Sequence, residues 1–164
     1  MEIEIIRKIP VTDKMTSNLL CNAFEGGSNY WIDSVSYYFK GKHVSPAQAR
    51  KLVKDLNIFD SSMVTKDIED HIFDSSMVTK DIEDPAYLWL PLIEGGEVRV
   101  TVADEGDEFS GKVFVLDMEH IKHGMVIMAN DHAKHFDDFI NENDDAITGD
   151  VLLQCCLFGK LIFG

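Results

Sequence analysis

The stretch Leu19-Leu20-Cys21-Asn22-Ala23-Phe24-Glu25-Gly26-Gly27-Ser28-Asn29-Tyr30-Trp31-Ile32 constrains the fold more than any other. Met15, Leu19, Leu20, Ala23 and Phe24 share one face of a helix that Thr12 or Asp13 can cap. Gly26 is the expected helix stop, because glycine reaches positive φ without a Cβ clash. Tyr30 to Phe39 is aromatic and β-branched with interspersed serines, the composition of a strand. A first helix joined this directly to a first long strand should lie near the middle of the fold.

Around that centre the other elements follow from pattern. Ile3, Ile5 and Ile9 alternate with charged residues, an opening strand that Pro10 ends. Ser45, Pro46 and Gln48 stand at N-cap, N1 and N3 of a second helix, a complete capping box. Its apolar face is Ala49, Leu52, Val53 and Leu56. Tyr87 to Ile93 reads as a strand, with Pro91 placing it at an edge or a bend. Gly95-Gly96 is a hairpin signal, and Val98, Val100 and Val102 alternate in the return strand. After an acidic loop, Lys112 to Leu116 is a further strand. Asp117 caps a helix with Met118, Ile121, Met125 and Met128 inward, and a short helix surrounds Phe136, Phe139 and Ile140. Asn141 to Asp145 caps a last helix carrying Ile147, Val151, Leu152, Cys155 and Phe158. Gly159 ends it, and Leu161-Ile162-Phe163 reads as a final short strand. Tight turns between consecutive strands predict an α+β fold, a mostly antiparallel sheet packed against four or five helices. At 164 residues the expectation is one domain, 1–164.

One feature stands outside this pattern. Residues 58–70 recur without change at 72–84, so that 57–70 and 71–84 differ only at Asn57 and His71. Two copies are too few for a solenoid. Identity at this level means a very recent duplication or a sequence that selection has not edited. The expectation is one structured copy, with the other inserted as an exposed loop or short helix.

The formal charge of −14 excludes general nucleic-acid binding, which needs cations facing phosphates. It permits the reverse role, an acidic surface seated in a basic groove of another protein. Asp104, Glu105, Asp107 and Glu108 concentrate that charge in one loop. Segment 34–54 is the exception. It holds Lys40, Lys42, Arg50, Lys51 and Lys54 and no acid, so the rest of the chain totals −19. It is either a phosphate-binding face or an ordinary basic outer face. The start Met1-Glu2-Ile3-Glu4 has no basic leader, no apolar run approaches the roughly 18 residues of a membrane span, and Cys21, Cys155 and Cys156 are odd in number. The expected compartment is therefore the cytoplasm, with reduced thiols.

Chemistry-bearing motifs are few. His120/His123 and His132/His135 form two H-x-x-H pairs, a spacing that shares a helix face, but no cysteine lies near them in sequence and solvated histidines are the simpler reading. Asn141 to Asp145 lacks the glycine and glutamate of a calcium loop and reads as a helix cap. The cysteines read as core residues, with no base partner in sequence. Gly26-Gly27-Ser28 follows a helix rather than preceding one, which argues against a phosphate cradle. Tyr30 and Trp31 beside the glycine pair remain candidates to line a pocket that stacks on a base. No metal or cofactor is expected.

Ala23-Phe24-Glu25-Gly26-Gly27-Ser28-Asn29-Tyr30-Trp31 resembles a run found in small accessory proteins of tailed phages and prophages. Asp150-Val151-Leu152-Leu153-Gln154, with Leu157-Phe158-Gly159 and Ile162-Phe163-Gly164, resembles the C-terminus of the same proteins. The similarity in organisation extends from Gly95 to Asp145. The repeat departs from that pattern, as does Gly149, where a helix favours alanine. The resemblance implies a phage accessory protein acting in the bacterial cytoplasm and brings no catalytic residues. With the charge, it points to a non-enzymatic inhibitor of a host defence nuclease. The expected partner is a host protein with a basic surface, foremost a CRISPR effector, engaged by nucleic-acid mimicry as an anti-CRISPR protein would do. The alternatives are a protein that sequesters a nucleotide signal and a virion assembly protein.

Overall fold

The computed structural model describes residues 8–56 and 86–164. Both copies of the repeat, and Ile3 and Ile5 of the expected opening strand, lie outside the described residues. Ile9 and Pro10 are exposed and carry no regular structure.

Helix α1, Asp13–Asn22, starts where Thr12 accepts a hydrogen bond from the Met15 N–H (3.2 Å). Helix α2, Pro46–Asp55, has the full capping box: Ser45 Oγ accepts from Gln48 N, and Gln48 Oε1 accepts from Ser45 N. Helices α3 (Met118–Asp131), α4 (Ala133–Ile140) and α5 (Ala146–Phe158) follow in the second half. Asp117 caps α3 and Asp145 caps α5. Gly159 closes α5 in the left-handed conformation at φ 70°.

Four strands form one antiparallel sheet in the order β2-β1-β3-β4: β1 Ile32–Phe39, β2 Lys42–Val44, β3 Gly96–Val102 and β4 Val113–Leu116. The α+β architecture is as the sequence predicts, with five α-helices among the described residues. Val98, Val100 and Val102 of β3 are buried on the helix-covered face, while Glu97, Arg99 and Thr101 alternate on the other. On that outer face Arg99 lies 3.6 Å over the Tyr38 ring and donates to Glu97.

The centre of the molecule is α5. Every residue from Thr148 to Cys156 except Asp150 is buried, as expected of a helix apolar on all sides. Its neighbours approach closely because glycines remove the Cβ from the crossings. A Cβ on Gly149 would overlap the Ala23 backbone nitrogen and stand 2.9 Å from the Leu19 carbonyl oxygen. A Cβ on Gly27 would overlap the Ala146 carbonyl oxygen, and one on Gly124 of α3 would overlap Cys156 Sγ. Gly149 is thus required where helix propensity alone favours alanine.

The structure differs from four expectations. The Gly26-Gly27 pair does not stop α1 through positive φ; the helix widens into a π turn, Ala23–Gly27, closed by Ser28 N–H to the Ala23 carbonyl (2.8 Å), and the glycines serve the close crossing instead. Tyr87 to Ile93 is not a strand but two 3₁₀ turns, Ala86–Leu88 and Leu90–Leu92. Pro91 has no N–H for a ladder, and the Leu90 carbonyl accepts locally from Ile93. Gly95, at φ 80°, turns the chain from the second of these into β3 rather than joining two strands. Leu161-Ile162-Phe163 is not a strand; it has no regular structure and is held by one side chain, described below.

Replacing Gly149 with alanine inverts the usual helix rule. In an open helix the change stabilises by about 1 kcal/mol; at this crossing it should destabilise by about 2 kcal/mol or more. Urea unfolding of the Gly149→Ala variant measures this, and an unchanged or raised midpoint would contradict the crossing.

Candidate functional site

Asp150 projects from α5 toward the chain that leaves the π turn. Its Oδ1 accepts from Ser28 Oγ and from Trp31 Nε1, each at 2.7 Å. Its Oδ2 accepts from Gln154 Nε2 at 2.9 Å and from the Tyr30 hydroxyl at 3.3 Å. Four donors occupy the carboxylate's roughly four lone-pair positions. One turn on, Gln154 Oε1 accepts from the backbone N–H of Ile162 (2.7 Å) and Phe163 (2.8 Å), and its amide donates to the Phe163 carbonyl. The tail so held lays the Phe163 ring parallel to Trp31 at 5.2 Å, with Phe158 at 5.5 Å from Trp31. The i, i+4 spacing of Asp150 and Gln154 is visible in the sequence, but their shared role needs the fold.

Tyr30 and Trp31 therefore part company. Trp31 is 1% exposed and belongs to the core, so it does not line an open pocket. Tyr30 is 49% exposed. Partial burial, and then the Asp150 carboxylate that it hydrogen-bonds, push its hydroxyl up to about 12. Ser28 is fully buried and already donates to Asp150, so it is not placed to act as a nucleophile.

The two charged sets lie at opposite edges of the sheet. Lys40 sits in the β1–β2 turn at φ 48° beside Gly41 at φ 74°, the paired positive values of a tight hairpin. Lys42 is on β2, and Arg50, Lys51 and Lys54 are on α2, which follows β2 directly. All but the half-buried Arg50 are exposed. The first turn of α2 is closed by its own capping box, Ser45 with Gln48.

The acidic loop joins β3 to β4 at the other edge. Asp104, Glu105, Asp107 and Glu108 are all exposed. Ser110 organises the loop: its Oγ accepts from the backbone N–H of Glu105 (3.1 Å), Gly106 (2.8 Å) and Asp107 (2.9 Å). Asp107 Oδ1 accepts from the Phe109 N–H, and the Phe109 ring anchors the loop 5.4 Å from Phe158. The sequence gives no direct signal for the role of Ser110; the Asx turn from Asp107 is the one local sign of an ordered loop. Arg99 pairs with Glu97 and Lys122 with Glu119, and neither pair engages the loop.

One histidine of each pair bonds another side chain. His120 bonds Asp117 (2.7 Å), which burial pushes up but the hydrogen bonds from His120 hold below its usual value. His135 meets Thr148 Oγ1 (3.3 Å). Among the described residues no group of three or more His, Cys, Asp or Glu is placed to hold a metal ion. Cys155 and Cys156 are buried and Cys21 half-buried, and burial raises all three thiols, Cys155 to about 11. No described helix is long and apolar enough to cross a membrane. Comparison with protein-family models, curated proteins and solved structures finds no match for this chain.

Tyr30 gives a pH signature. Its folded value lies above the usual 10, so the neutral phenol stabilises the fold below pH 10 and that contribution is lost as pH rises toward 12. In a tyrosine-labelled NMR titration Tyr30 should ionise near 12, and Asp150→Asn should move it down. A wild-type value near 10 would contradict the contact.

Proposed function

We propose that this chain is a non-enzymatic inhibitor of a host defence nuclease, foremost a CRISPR effector, and that it works by occupying the enzyme's nucleic-acid-binding groove. The observation that carries the reading is the Asp104–Glu108 loop. It holds four exposed carboxylates on a backbone fixed by Ser110 and Asp107, within a chain of net charge −14. Carboxylates held in a row offer a basic groove what phosphate oxygens offer it. Their fixed backbone lowers the ordering cost of docking. The resemblance of residues 23–31 and 150–164 to phage accessory proteins supports the same class.

Cells running CRISPR interference against a plasmid should lose most of that interference when this chain is expressed. The variant Asp104→Lys, Glu105→Lys, Glu108→Lys should restore it, and inhibition in vitro should weaken steeply as salt shortens the range of the charges. Undiminished plasmid clearance in cells expressing the wild-type chain would refute the reading.

A further inference from the structure

Strand β4 is an edge. It pairs with β3 on one side, and among the described residues nothing pairs with its other side. The Val102 N–H donates to the Lys112 carbonyl, and the register continues Val100↔Phe114 and Val98↔Leu116. Antiparallel alternation then turns the backbone polar groups of Phe114 and Leu116 toward β3 and those of Val113 and Val115 outward. Val113 is 56% exposed, so the outward groups begin at an open position. An unpaired edge of this kind is a template for another strand. The loop before it is acidic, with Asp104, Glu105, Asp107 and Glu108 exposed; Lys112 stands between that loop and Val113, and after the strand Glu119 is paired with Lys122.

We propose that this edge takes up an extended, lysine- and arginine-rich segment of the partner as a fifth strand. The outward N–H and C=O of Val113 and Val115 give the main-chain hydrogen bonds, and the acidic loop selects cationic side chains. The inference rests on the reading of the chain as an acidic inhibitor. It adds a second recognised element of that partner, a basic segment in β conformation.

The test uses the full chain and two eight-residue peptides of alternating lysine and valine, one unmodified and one N-methylated at every backbone amide, so that neither of its edges can donate. Calorimetry should show the unmodified peptide binding about tenfold tighter, as expected for a few main-chain hydrogen bonds. Val115→Pro removes an outward N–H and leaves the β3 ladder intact, so the fold should survive and the tenfold preference should vanish. If that variant does not fold, Val113→Pro asks the same question at the other outward position. The Asp104→Lys, Glu105→Lys, Glu108→Lys variant should weaken both peptides and keep the preference. Equal binding of the two peptides by the wild type would overturn the proposal. So would a folded proline variant that keeps the preference, or wild-type chains that pair with each other through this edge and exclude the peptide. Failure of the inhibitor reading would look different: intact peptide discrimination with no effect on the nuclease.

Discussion

The carboxylate of Asp150 holds Ser28, Tyr30 and Trp31, about 120 residues earlier in the chain, while Gln154 one turn away holds the tail at Ile162 and Phe163. That arrangement exists only because Gly27 and Gly149 let the π turn and α5 touch backbone to backbone. With the crossing made, Trp31 is fixed by its indole N–H, and its ring closes the aromatic cluster of Phe158 and Phe163. The Trp31 carbonyl then accepts from Ala103 beyond the end of β3, which brings β1 and β3 into register. Leaving any of those buried donors unpaired would cost about 1–3 kcal/mol each, so the fully satisfied network is a strong specifier of one arrangement.

Local signals in the sequence are sufficient where one residue determines the outcome. Ser45 with Gln48, Asp117, Asp145 and Gly159 all mark the helix ends that they cap. Alternation at Val98, Val100 and Val102 identifies the central strand and its buried face. What the sequence hid was tertiary. Gly26-Gly27 looks the same whether glycine is needed for φ or for a missing Cβ, and only the position of Ala146 distinguishes the two. Gly149 contradicts helix propensity until its neighbour across the crossing is known. The β1–β2 hairpin carries no usual turn signal, because Lys40, not asparagine, takes the first positive φ of its turn. Tyr87 to Ile93 has strand composition, yet Pro91 and the local Leu90 carbonyl bond make it turn.

The candidate site divided in the same way. Exposure of the acidic residues was legible from charge, but the rigidity that Ser110 gives their loop was not. An aromatic beside glycines suits a ligand platform, but the Trp31 indole N–H instead donates to the half-buried Asp150 carboxylate and its ring belongs to the core. The basic residues of β2 and α2 lie across the sheet from the acidic loop between β3 and β4, whose four carboxylates are exposed. Residues 23–31 and 150–164 are the two segments that Asp150 and Gln154 join, so they form one structural unit.

That unity is the central claim, and hydrogen exchange at the Ile162 and Phe163 amides tests it directly. Neither amide touches Asp150; both donate to Gln154, which Asp150 orients. Replacing Asp150 with alanine should speed exchange at both amides by about tenfold or more, while the amides of α2 keep their protection. Unchanged protection of Ile162 and Phe163 in that variant would show that the tail is held independently, and the account of a single node would be wrong.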